Sequence, residues 1–179
     1  MQIVSRPLEI ILVLNAEKYV IPFIEEKFLV KPGMRVLEIG CGEAGVLKAF
    51  INKGCVGVGV ELDAPRIDNA KKFLPEDVAA GRLKFVTKDI YKVDIEKEFD
   101  GLFDIIVLKD VIEHIHDQRK LIGWMKNFLK PGGIVFFGFP PWYMPFGGHQ
   151  QICRSKISRL PYIHLLPGFA YKWILKNGK

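Results

Sequence analysis

The residues with the clearest chemical use lie at the ends of short apolar runs. Gly40-Cys41-Gly42-Glu43-Ala44-Gly45 fits G-x-G-x-x-G and follows the run Arg35–Ile39. Glycines at these positions allow a tight strand-to-helix turn and let a ligand approach the backbone. The same turn can also join a strand to a helix with no ligand at all. Glu61 closes the run Cys55–Glu61, and its two carboxylate oxygens suit a pair of ribose hydroxyls. A salt-bridged or solvated glutamate is the plainer reading. Asp89 follows Leu83–Thr87 and can take the amino group of an adenine, or cap a helical segment starting at Ile90.

Two cofactor chemistries fit this set. A dinucleotide would place its pyrophosphate at the helix N-terminus. S-adenosyl-L-methionine has no phosphate and carries a positive sulfonium. Glu38, Glu43, Glu61, Asp63 and Asp89 surround the turn, and Glu38 stands two residues before the first glycine. A carboxylate there is unfavourable beside a pyrophosphate and favourable beside an ammonium and a sulfonium. The charge balance therefore points to the sulfonium cofactor.

These residues need a frame that brings strand ends together. The sequence predicts a helix over 16–28 with a kink at Pro22, then strands at 35–39, 55–61, 83–87, 103–108 and 134–139. Helices are expected over 44–53, 64–73 and 117–129, with turns at Lys31-Pro32-Gly33 and Lys130-Pro131-Gly132-Gly133. Gly57 and Gly59 in the second strand predict close packing against a neighbour. Continuous apolar strands are those buried on both faces. Their alternation with helices predicts an α/β fold, a doubly wound and mainly parallel sheet with helices on both faces. Ligands in such sheets bind at the carboxyl ends of the strands.

At 179 residues the chain is expected to form one domain: a helical segment over 1–30, a cofactor-binding core over 31–140 and a tail over 141–179. Cys41, Cys55 and Cys153 have neither metal nor disulfide spacing, which suggests reduced thiols in the cytoplasm. Arg6, Pro7 and Glu9 before the short run Ile10–Leu14 argue against a secretory signal. Pro131–Cys153 has no formal charge, but four prolines and five glycines exclude a membrane-spanning helix there. The net charge of +6 is concentrated at one end. No acid follows Asp117, whereas Arg154, Lys156, Arg159, Lys172, Lys176 and Lys179 lie beyond position 150. That distribution marks the tail 150–179 either as a solvated basic edge or as a peripheral contact for a membrane or a protein.

Taken together, the motifs resemble class I S-adenosylmethionine-dependent methyltransferases, in particular the small-molecule and quinone-biosynthesis subgroup. The matching segments are Val36–Gly42, Gly59–Asp63, Lys88-Asp89-Ile90, Phe103–Leu108 with Val111–Ile115, and Leu129–Gly133, in family order over roughly residues 30–140. The resemblance implies that Glu38, Gly40, Cys41 and Gly42 line the methionine part of the cofactor. It implies Glu61 on the ribose, Leu62 against the adenine, and Asp89 with Ile90 on the adenine edge. Lys109 and Asp110 would border the site of methyl transfer. Asp110-Val111-Ile112-Glu113-His114 is similar to a segment that quinone-biosynthesis O-methyltransferases use for a divalent metal; a cofactor-neighbourhood or structural role is the alternative, and no metal is assigned.

The implied reaction is in-line methyl transfer to a small-molecule or lipid-like acceptor, with Asp110, His114 and His149 as candidate bases. Phe139-Pro140-Pro141-Trp142 only superficially matches the Asn/Asp-Pro-Pro motif of nucleic-acid and amide methyltransferases, because it follows the fifth strand and starts with Phe. No sequence-specific nucleic acid is expected; Pro141–Gly148 reads instead as a substrate-side loop with Trp142, Tyr143 and Phe146 as apolar walls. Members of the family continue with a helix and two more strands, so the 40 residues after Phe139 predict a reduced final hairpin or a truncated chain. A nicotinamide-dependent oxidoreductase and a non-catalytic binding module remain as alternatives.

Overall fold

The computed structural model describes residues 7–147, 157 and 159–177. Two compact units are distinguished, Met1–Gly138 and Phe139–Lys179.

The first unit carries the sheet. β1 (Arg35–Ile39), β2 (Val56–Glu61), β3 (Leu83–Thr87), β4 (Phe103–Lys109) and β5 (Leu129–Gly138) are all parallel and ordered β3-β2-β1-β4-β5. The chain builds outward from β1 to β3, then returns to the other side of β1 for β4. The switch in strand order therefore falls between β1 and β4.

Alternate residues of each strand feed two cores. Val36, Ile105 and Val107 pack with α3 (Gly45–Asn52) and α4 (Ala64–Phe73) on one face. Leu37, Ile39, Ile106 and Leu108 pack with α7 (Gln118–Met125) on the other. This is the doubly wound α/β arrangement expected from the sequence. Burial on both faces explains why the strands read as unbroken apolar runs.

The N-terminal helix differs from expectation in extent and form. It begins as α1 (Pro7–Asn15), passes through a π-helical turn at Ala16–Val20 and continues as α2 (Ile21–Glu25). Pro22 has no N–H to give the Lys18 carbonyl, and its ring crowds that carbonyl. The ladder widens just ahead of it, where the Ile21 N–H bonds to Ala16 O. A wider, π-helical turn thus stands immediately ahead of Pro22.

The fifth strand starts earlier than expected. Leu129 already pairs with Phe103, and pairing then resumes with Ile134 opposite Ile105. Pro131, Gly132 and Gly133 form an irregularity inside β5 rather than a turn before it. An edge strand tolerates such a bulge and a proline without a ladder N–H. The preceding helix, α7, is shorter than predicted. It is capped by Asp117, whose side chain accepts the Lys120 N–H at 2.9 Å, and gives way after Met125 to turn hydrogen bonds through Phe128.

Short segments join these elements. α5 (Pro75–Ala79) holds buried Asp77, which accepts Lys48 Nζ at 2.8 Å and Arg82 Nη2 at 2.6 Å. α6 (Ile95–Glu98) is capped by Asp94. In the second unit, a 3₁₀ turn at Ile163–Leu165 precedes α8 (Gly168–Asn177). There buried His164 sets Nε2 2.6 Å from the Trp142 carbonyl and packs edge-on to that indole. No strand follows Gly138 among the described residues, and no helix among them is long and apolar enough to cross a membrane.

The close packing expected at the β2 glycines is present. A Cβ on Gly59 would lie 2.5 Å from Cys41 Sγ, and one on Gly57 would lie 3.1 Å from Leu47 Cδ2. We expect Gly59→Ala to lower stability by about 1–3 kcal/mol through overpacking. Adding Cys41→Ala, which removes the nearest atom, is expected to restore part of that loss. Urea unfolding of the three variants tests both statements; additive effects would show that the two positions are not in conflict.

Candidate functional site

The site is built where β1 ends. Gly40 takes a left-handed backbone (φ 71°), and a Cβ there would collide with the Val111 side chain. The Gly40 and Cys41 N–H groups both donate to Val60 O, at 2.8 and 3.1 Å. Gly42 (φ 53°) and Ala44 (φ 62°) are also left-handed before α3 begins at Gly45. Asp110, just past β4, has φ 56°. For a non-glycine residue this conformation costs about 1–2 kcal/mol; besides Ala44 and Asp110, only Tyr162, in the second unit, adopts it among the described non-glycine residues.

Glu61 closes the turn. Its Oε2 accepts the Gly42 N–H at 2.9 Å; its Oε1 accepts the Leu62 N–H at 2.8 Å and the Asp63 N–H at 3.1 Å. Three of its roughly four acceptor sites are therefore used by the backbone. Arg66, in the first turn of α4, places Nη1 3.8 Å from Oε2 and overhangs Gly42.

Glu38 is the least ordinary group present. It lies inside β1, is only 3% exposed, and has no hydrogen-bond partner for Oε2. Burial pushes its carboxyl up to about 8, while the Leu47 N–H and the Lys109 charge pull the other way. Cys41 is buried beside it. Burial, reinforced by Glu38 and Glu61, drives its thiol far above the usual range and leaves it an inert neutral group.

These residues border a single cavity of about 400 Å³. The structure brings Glu38, Gly40, Cys41, Gly42, Glu61, Leu62, Asp89, Ile90, Lys109, Asp110 and His114 into its lining. They come from the carboxyl ends of β1, β2 and β4 and from the segment after β3, at the switch in strand order. Asp89 caps the 3₁₀ turn Ile90–Lys92, with Oδ1 accepting the Tyr91 N–H at 3.1 Å. The capping alternative is thus realised, and it engages one of the two carboxylate oxygens. Asp110 is held by Lys109, Nζ to Oδ2 at 2.6 Å. His114 lies 4.0 Å from Glu113. Among the described residues, no group of three or more His, Cys, Asp and Glu side chains converges tightly enough for a metal ion.

His149 lies outside the described residues. Trp142, Tyr143 and Phe146 belong to the second unit. Asp63, counted among the acids around the turn, stands outside the lining at the N-cap of α4. Arg66 and Leu12 line the cavity without having been foreseen. Arg66 had one signal, a cation in the first turn of the helix after Glu61. Leu12 had none, because its position depends on α1 folding against Gly45. With Arg66, Lys88 and Lys109 present, the lining is less one-sidedly acidic than the sequence suggested.

A parallel sheet with this strand order and a glycine-turn cavity at its switch point defines a Rossmann-like nucleotide-cofactor fold. The chain belongs to the methyltransferase domain family, which it matches over residues 15–175. It is 29% identical over 115 residues to the ubiquinone biosynthesis O-methyltransferase of Coxiella burnetii, covering 64% of this chain and 47% of the relative. To the sterol 24-C-methyltransferase of Gibberella zeae it is 28% identical over 150 residues, 83% of this chain and 38% of the relative. The chain spans about half the length, or less, of these curated relatives. In fold it is similar to a SAM-dependent methyltransferase from Thiobacillus denitrificans solved with S-adenosyl-L-homocysteine. The TM-score is 0.55 at 20% identity, covering 70% of this chain and 54% of that one.

Glu38 gives the free protein a pH signature. With its carboxyl raised from 4.5 to about 8 in the fold, the folded state holds one more proton than the unfolded chain between those values. The associated stability is complete below pH 4.5 and is lost as pH rises through 8. Relative to Glu38→Gln, the parent should lose roughly 3 kcal/mol between pH 6 and pH 9. Parallel denaturation curves for the two proteins over that range would contradict this.

Proposed function

We propose that this protein transfers a methyl group from S-adenosyl-L-methionine to a small-molecule or lipid-like acceptor by in-line displacement. The observation that carries the reading is Glu38, a buried carboxyl in the cofactor-sized cavity with one oxygen unpartnered. A carboxyl held neutral by burial can ionise against a cationic ligand, and a pyrophosphate offers it no such partner, which weighs against the nicotinamide alternative. The family match weighs the same way.

When bound, S-adenosyl-L-methionine supplies a methyl already activated on a positive sulfur. The work left to the chain is positioning and exclusion of water. Glu38 would ionise against the ammonium end, and the glycine turn Gly40–Gly42 would admit the methionine part. Glu61 would accept ribose hydroxyls, exchanging one of its backbone hydrogen bonds to do so. Ile90 and Leu62 would flank the adenine, and the free oxygen of Asp89 would meet its edge. Asp110 and His114, at the cavity mouth, would accept the proton of a hydroxyl acceptor; His149 is a third candidate from sequence alone.

The relatives named for ubiquinone biosynthesis and for sterols favour a lipid-like acceptor. The buried free thiols Cys41 and Cys55 suit a reducing cytoplasm. The tail 150–179 is assigned to contact with a larger partner rather than to nucleic acid.

Calorimetric titration with S-adenosylhomocysteine should give saturable binding, and titration with NAD none. Glu61→Ala should weaken the former about a hundredfold, the loss of two charge-assisted hydrogen bonds. Binding of NAD alone would overturn the cofactor assignment. Binding of S-adenosylhomocysteine with no turnover of S-adenosylmethionine on hydroxylated lipid acceptors would favour the non-catalytic module.

A further inference from the structure

α8 (Gly168–Asn177) reads GFAYKWILKN. At 100° per residue, Phe169, Lys172, Trp173 and Lys176 fall within one sector of the helix. All four are exposed, Phe169 at 80% and Trp173 at 67%. Ala170, Tyr171 and Ile174 take the opposite, partly buried side. Two large aromatic rings and two lysines thus share the outward face of one helix.

An exposed face of this kind has several potential occupants, and charge separates them. No acid occurs after Asp117, while six cations lie beyond position 150. A second copy of the same segment would bring lysines against lysines. A neutral protein groove would satisfy the rings and leave the charges without partners. An anionic bilayer satisfies both groups. Aromatic rings settle at the boundary of headgroups and acyl chains, and lysine stems reach up so that the ammonium meets the headgroup phosphates. The helix is too short to span, so it would lie in the plane of the surface.

We infer that α8 docks this protein on an anionic lipid surface, with Phe169 and Trp173 entering the headgroup boundary and Lys172 and Lys176 pairing with anionic headgroups. The inference rests on the second unit alone and stands whether or not the cavity of the first unit binds S-adenosylmethionine.

Co-sedimentation of the full chain with extruded vesicles tests it. Vesicles of equimolar phosphatidylcholine and phosphatidylglycerol should pull the protein down, and phosphatidylcholine alone should not. High salt should release it. Lys172→Gln with Lys176→Gln should weaken binding about tenfold or more, the loss of two surface cations. Phe169→Ser with Trp173→Ser should do the same without removing charge. Thermal melting and S-adenosylhomocysteine titration of each variant establish that the fold and the cavity are intact. If the aromatic pair fails to fold, the lysine pair, on exposed side chains, carries the test.

Absence of sedimentation with anionic vesicles would overturn the inference, as would equal binding by parent and variants. A dimer that Phe169→Ser with Trp173→Ser converts to monomer, without vesicle binding, would show that a second copy covers the face.

Discussion

The first unit depends on how the end of β2 grips the end of β1. Val60 O takes two consecutive N–H groups of the glycine turn, and Glu61 takes the third through its side chain. These bonds hold backbone that would not adopt this shape by itself. Gly40 and Gly42 tolerate the left-handed region; Ala44 and Asp110 occupy it at a cost. In the first unit the left-handed non-glycine residues stand at this turn and just past β4, and the central pairings of β1 with β2 and β4 beneath them run without a break.

The same grip explains the charges. The polar groups of a cleft made of strand ends are residues that the strands carry at or beyond their last buried position, here set among apolar walls such as Leu12, Val60, Leu62 and Ile90. Glu61, Asp89 and Lys109-Asp110 all have this origin. Glu38 does not. It sits within β1, at a position that in Val36 serves the core, and it remains neutral in the free protein around pH 7 because water is excluded. The fold carries a carboxyl where an apolar residue would be more stabilising, which is the pattern of a residue kept for its ligand rather than for packing.

Much of this was legible in the sequence because the elements are local. Continuous apolar runs marked the strands, and Glu61, Asp89 and Lys109-Asp110 stood at or just past the end of one. The parallel, doubly wound character of the sheet followed from the alternation with helices. The parts that were not legible depend on contacts distant in sequence. Leu12 reaches the cavity only because α1 packs on Gly45. Arg66 enters through the curl of α4 over the turn. The Pro131–Gly133 segment looks like a turn until β4 is present to pair on both sides of it. Asp89 could be read as a cap or as a ligand contact, and geometry gave the first role to one oxygen without removing the second from use.

The π-turn at Ala16–Val20 sets the rotational phase between α1 and α2. One extra residue in that turn offsets the two helical faces by about 100°. Ile21 and Ile24 can then face the core while Leu12, upstream, faces the cavity. A single deletion within Ala16–Val20 would regularise the helix, keep its composition and length nearly unchanged, and turn Leu12 away from the site. The spacing of this segment therefore sets which side of α1 meets the cavity, separately from the identity of any residue in it.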